Sequence, residues 1–141
     1  MNKKGKIVFF AIVTVVWIFA IFYAKYRDPA YTNIDLATTE LKVSSEDLVS
    51  LFLNNEKLAT DTYAGKIIEI DGIVKDITFL NNRNTVLLSS KVWSSNVICD
   101  MRIDQVKIVE QLKVGQKIKI KGVCKGFLKD AVILNCKLIN E

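Results

Sequence analysis

The chain has 141 residues, half of them hydrophobic and a quarter charged, with a formal net charge of +5 and no histidine. This suits one small globular domain beside a membrane segment and excludes a disordered chain. The missing histidine removes the commonest general base near neutral pH, the usual catalytic triads and every histidine-ligated metal site.

The first element is IVFFAIVTVVWIFAIFYA, Ile7 to Ala24, 18 residues with Thr14 as the only polar side chain. At 1.5 Å per residue it nearly matches a hydrocarbon core of roughly 30 Å. A cleaved secretory signal has an apolar region of about 7 to 15 residues and small side chains before the cut. Here Phe22 would hold the minus-three position, and no early cysteine offers a lipidation site. The reading is an uncleaved transmembrane anchor over 7–24 behind a basic tail over 1–6.

Much of the net charge flanks this anchor: Lys3, Lys4, Lys6, Lys25 and Arg27. Taking those five from 20 basic residues, and Asp28 from 15 acidic ones, leaves 15 against 14. The globular part is therefore close to neutral. The basic count favours an inside N-terminus by a narrow margin, so the expected location is the cytoplasmic (inner) membrane, single-pass, with the domain on the outer, periplasmic side. Tyr23, Tyr26 and Tyr31 suit the interface, whereas Trp17 lies too deep for it.

Residues 25–43 hold the only proline, Pro29, and show no periodicity, so they read as a tether to a domain over 44–141. Ser44 and Asp47 have capping-box spacing, and Glu46 and Asp47 fall in the first turn, which predicts a helix. Leu48, Leu51, Phe52 and Ala59 share one face of it as a packing stripe, while Asn54 and Asn55 weaken its middle.

From Lys66 the period becomes two. KIIEIDGIVKDITF places Ile68, Ile70 and Val74 on one face, and Glu69, Asp71 and Lys75 with Ile67, Ile73 and Ile77 on the other. Gly72 in the middle predicts a bend where one strand serves two sheets. NNRN, Asn81 to Asn84, signals a turn into TVLLSS, and NVICDMR is a third strand. DQVKIVEQL reads as a short helix capped by Asp104. KIKIKGVCKG is a fourth strand and AVILNCKLI a fifth, with Val132, Leu134, Cys136 and Leu138 facing one way. The predicted fold is mainly β: a five-stranded barrel with a helix between strands three and four, the OB-fold layout, preceded by a helix and the anchor.

The combination of YAGKIIEIDGIV, a strand ending in VICDM, LKVGQKIKIKGVCKG and AVILNCKL resembles the tRNA_anti-like family of OB-fold proteins, over roughly Ser44 to Ile139. The most specific part is G-x-C-x-G followed by a strand with a second cysteine: Gly122, Cys124, Gly126 and Cys136. The resemblance implies a fold related to anticodon-binding domains, in small bacterial proteins often found behind a signal or membrane segment. It does not imply tRNA binding.

Both Cys124 and Cys136 are expected to point inward. A hairpin centred near Asp130 places them almost opposite each other, either as core thiols or as a cross-strand disulfide with Cys99 left unpaired. Three sulfurs without a C-x-x-C pair or a histidine do not suggest a metal, and no cofactor is implied. An inward cysteine without a base is no nucleophile. Glu69, Asp71 and Asp76 read as water-facing strand positions, and G-V-C-K-G reads as strand, not as a phosphate loop.

OB-folds bind through the face of strands two and three and the loops beside it. The ligand-contact candidates are Phe79 and Arg83 at the first loop, Lys91 and Trp93 between strands two and three, and Lys125, Phe127 and Lys129 at the last loop. Strands two and three carry no aromatic residue, which weakens a nucleic-acid reading. The sequence thus describes a non-catalytic, membrane-anchored OB-fold binding module of the bacterial envelope, whose loops could grip a small ligand such as a sugar, a peptide or another envelope protein. A single-stranded DNA or RNA binder and a structural subunit of a membrane complex are the alternatives.

Overall fold

The computed structural model describes residues 2–25, 33–92 and 94–139. Tyr26, Pro29, Tyr31 and the ligand candidate Trp93 lie outside these residues. Helix α1, Lys3–Lys25, is long and apolar enough to cross a membrane, and none of its side chains is buried.

Strand β1, Leu41–Ser44, lies parallel to β2, Ile67–Leu80, with Leu41 beside Ile68 and Ser44 beside Asp71. The end of the expected tether is therefore an edge strand. Ser44 ends it and caps α2, Ser45–Asn54: the Asp47 amide donates to Ser44 Oγ at 3.0 Å, and that hydroxyl donates to the Asp47 carboxylate at 2.7 Å. The expected single helix breaks at Asn55, whose side chain accepts from the Leu58 amide at 3.1 Å and starts α3, Glu56–Tyr63. An asparagine satisfies an orphan amide at a helix start better than it fits a helix interior.

The barrel consists of β2, β3 (Arg83–Ser89), β4 (Asn96–Met101), β5 (Lys117–Phe127) and β6 (Ala131–Leu138). Their order is β2-β3-β4-β6-β5, closed by β2 against β5, with β1 outside as a sixth strand. The first half of β2 pairs with β5, from Ile67 opposite Val123 to Ile73 opposite Lys117; its second half pairs with β3, from Ile73 opposite Ser89 to Leu80 opposite Arg83. Gly72 stands just before this changeover, where a Cβ would lie 2.7 Å from Ser45 Oγ. The same hydroxyl donates to the Ser89 carbonyl at 2.6 Å and pins the start of α2 to the barrel.

Ile68, Ile70, Val74, Val86, Leu88, Val97, Cys99, Ile120 and Ile133 fill the interior, and Leu48, Val49 and Phe52 of α2 join the same core. Strand β4 runs parallel to β6. The expected helix at Asp104 is a 3-10 turn, Ile103–Gln105, leading into a single turn α4, Val106–Val109. Asp104 does not cap it, because its carboxylate takes Arg102 Nη2 at 2.7 Å instead.

The alternation expected for β6 changes parity within the strand. Ala131, Ile133 and Cys136 are buried while Val132 and Leu134 are only half-buried, because Asn135 adopts φ 55° and shifts the register by one. The β5–β6 register also puts Cys124 opposite Ile133, not opposite Cys136. The three cysteines are buried free thiols.

Candidate ligand surface

The described contact candidates fall at two separated ends of the barrel. One end carries the β2–β3 hairpin and the Ile103 turn, brought together by the pairing of Asn84 with Met101. The other carries the β3–β4 and β5–β6 connections, joined where Asp130 Oδ1 accepts from the Asn96 amide at 2.6 Å.

At the first end Asn81 and Asn82 have φ of 51° and 61°. Two successive positive φ values form the tight turn whose twist suits a two-residue hairpin, and asparagine tolerates them. The turn carries Phe79, Leu80 and Arg83 outward, all exposed. Together with Ile103 and Val106 they line a groove of about 390 Å³. Its floor includes Asn84, 95% buried by its 5% exposure, whose Nδ2 has no hydrogen-bond partner among the described residues. A larger cavity of about 750 Å³ opens beside α4, between Ile108 and Leu112 and the strand residues Ile118 and Leu138.

At the second end two of the four described candidates, Phe127 and Lys91, contact α2. The ring of Phe127 stacks on Phe52 of α2, with centroids 5.3 Å apart and planes 10° apart. Lys91, at φ 58°, reaches Glu46 of α2 at 3.4 Å. Lys125 and Lys129 are exposed. Between the two ends, Leu87, Ile98 and Val132 form one row across β3, β4 and β6 on the outer face, each half-buried. Thr85 pairs with Asp100 in the next row. This face is apolar and weakly acidic, and among the described residues it offers neither an aromatic platform nor a basic track.

The cysteines contribute no reactive group. Burial pushes the Cys124 thiol up to about 11 and raises that of Cys136 well above its ordinary value, with Cys99 as its hydrogen-bonding neighbour. The Cys136 thiol donates to the Ile133 carbonyl at 3.3 Å.

The segment before β1 supplies a contact that sequence reading missed. Ile34 is fully buried against Ile67 and Val123 on the outside of the barrel. Asp35 takes Lys137 Nζ at 2.6 Å and Arg102 Nη1 at 2.7 Å, and Lys121 donates to the Ala37 carbonyl. A lone isoleucine before an aspartate carries no periodicity, so only the fold shows it.

The model of the tRNA_anti-like family matches residues 2–138. Among solved structures, the chain is similar to a Klebsiella pneumoniae protein named "putative nucleic acid-binding lipoprotein", with a TM-score of 0.56 at 16% identity, over 70% of this chain and 92% of that one. It also matches an OBody bound to hen egg-white lysozyme, with a TM-score of 0.44 at 13% identity, over 57% of this chain and 87% of that one. A match to the S. pombe Stn1-ten1 complex has a TM-score of 0.41 at 10% identity, over 53% and 59%. The first of these establishes a shared fold. No curated protein matches the chain.

Proposed function

The chain belongs to the tRNA_anti-like family, and from that premise we propose that it is a single-pass, membrane-anchored, non-catalytic OB-fold module that binds another protein of the bacterial cell envelope. The observation that carries this reading is the join of a wholly exposed apolar helix, Lys3–Lys25, to a closed barrel with an outer row of Leu87, Ile98 and Val132. A helix of 23 residues is about 35 Å long, which spans a bilayer core. An apolar row on a pleated outer face suits a polypeptide better than a polyanion, because phosphate binding needs cations that track the backbone. The name of the Klebsiella pneumoniae relative supports an envelope setting, since lipoproteins are membrane-tethered.

The second reading, a single-stranded nucleic-acid binder, draws on that same name and on Phe79 and Arg83, both exposed on one hairpin. Against it stand Phe127 stacked on Phe52, Lys91 paired with Glu46, and Asp100 on the strand face.

Two measurements separate these readings. C-terminal reporter fusions active on only one side of the membrane should place the domain outside. Titration of the full chain in detergent with oligonucleotides at low and high salt should show no tight, steeply salt-dependent binding. A cytoplasmic reporter signal together with steep salt dependence would replace the protein-binding reading with the nucleic-acid one. Co-purification from membranes then identifies the partner.

A further inference from the structure

We propose that the barrel end formed by the Asn81–Asn82 hairpin and the Ile103 turn seats on the bilayer surface, as a second membrane contact beside the anchor helix. This rests on the anchored reading above.

The chain leaves α1 at Lys25 and is fixed to the barrel again from Asn33 onward. Eight residue steps separate the two points, and a fully extended chain covers at most about 29 Å in that span. The re-entry point is not on a random face. Ile34 is buried there, and Asp35 is held by Arg102 and Lys137. Arg102 directly precedes Ile103, so the tether docks at the edge of the hairpin end. The β5–β6 connection lies at the opposite end of the barrel. A leash of this length attached at this edge lets the hairpin end reach the membrane surface.

That end also has the composition of an interfacial surface. Phe79, Leu80 and Ile103 are 50%, 65% and 76% exposed, three large apolar side chains grouped around one groove. Exposed Arg83 and Lys107 stand near them, and the acids Asp104 and Asp35 are both paired with Arg102. Apolar side chains under a rim of cations match a surface with hydrocarbon below and anionic headgroups above. Beneath them the Nδ2 of Asn84, without a hydrogen-bond partner among the described residues, is a buried donor that the ester carbonyl or phosphate oxygens of a lipid could satisfy. The near-neutral charge of the rest of the domain accords with a contact confined to this end.

The test uses the full chain reconstituted in phosphatidylethanolamine and phosphatidylglycerol vesicles. Either orientation of insertion presents the same lipids to the domain. Leu80→Cys, Ile103→Cys and, at the opposite end, Lys129→Cys each carry an environment-sensitive fluorophore; the native thiols are buried. The expected result is blue-shifted emission at positions 80 and 103, quenched by a lipid-borne quencher, with water-like emission at 129. Protein that floats with the vesicles but reports water at positions 80 and 103 overturns the inference while leaving the anchor intact. Protein that fails to float with them overturns the anchored reading, and this inference with it.

Discussion

Arg102 and Asp35, 67 positions apart, meet at 2.7 Å, and this pair ties the segment next to the anchor to the far end of β4. Asp35 is pulled down to about 2, first by the hydrogen bond from Lys137 and then by that from Arg102. Its carboxylate therefore contributes stability that is complete above its ordinary value of 3.8 and is lost as the pH falls through about 2. Asp35→Asn should lower the thermal midpoint of the full chain in detergent by the same amount at pH 7 and pH 5. The gap to wild type should close toward pH 2, and should narrow with added salt because the group is exposed. A gap that persists unchanged at pH 2 would rule out the ion pairs as its source.

Gly122 is closed in by β6. A Cβ there would lie 2.6 Å from Ile133 Cγ2, 2.8 Å from Cys136 Sγ and 3.0 Å from the Leu134 carbonyl oxygen. The carbonyl cannot swing away without breaking the strand pairing, so Gly122→Ala should destabilise the domain by about 1–3 kcal/mol. Urea unfolding measures this, and a neutral substitution would show that the two strands are not packed this closely.

The thiols should be silent in the native state. Cys124, held up at about 11 by burial, and Cys136, raised by burial beside Cys99, both lack thiolate character at pH 8. A charged disulfide reagent should leave the native chain unmodified and label three thiols after denaturation. The intact mass should be the same before and after reduction. A gain of two hydrogens on reduction would reveal a bridge that the β5–β6 register does not favour.

What the sequence made legible follows from how local each signal is. The Ser44 cap, the Asn81–Asn82 turn and the bend at Gly72 are each decided by a few adjacent residues, and each stands in the fold. The outline of the barrel follows from alternation, which is also local. Registers are not local. Counting outward from Asp130 faces Cys124 with Cys136, but Asn135 in a left-handed conformation and a shift between Cys124 and Gly126 move the pairing to Ile133. Strand β1 was hidden because four residues at an edge need no pattern of their own, and Ile34 and Asp35 because their partners lie on β2, β5, β6 and the end of β4. The stacking of Phe127 on Phe52 is equally non-local, since its partner lies on α2, 75 positions earlier.

The Phe52–Phe127 stack decides which role Phe127 plays. Phe52 is 2% exposed, and its ring lies nearly parallel to that of Phe127 at 5.3 Å. Phe52→Ala should cost about 3–5 kcal/mol, the usual range for emptying a core phenylalanine site. Phe127→Ala should cost less, because one side of that ring is partly exposed. The two changes should not add. An aromatic pair contributes roughly 0.5–1.5 kcal/mol beyond the area it buries, so the double variant should be more stable than the sum of the single losses by about that amount. Urea unfolding of the four proteins measures the coupling. If it is absent while Phe127→Ala leaves stability unchanged, the ring is not tied to α2 and returns to the ligand surface; the observed coupling would instead identify it as the wedge that fixes α2 across the end of the barrel.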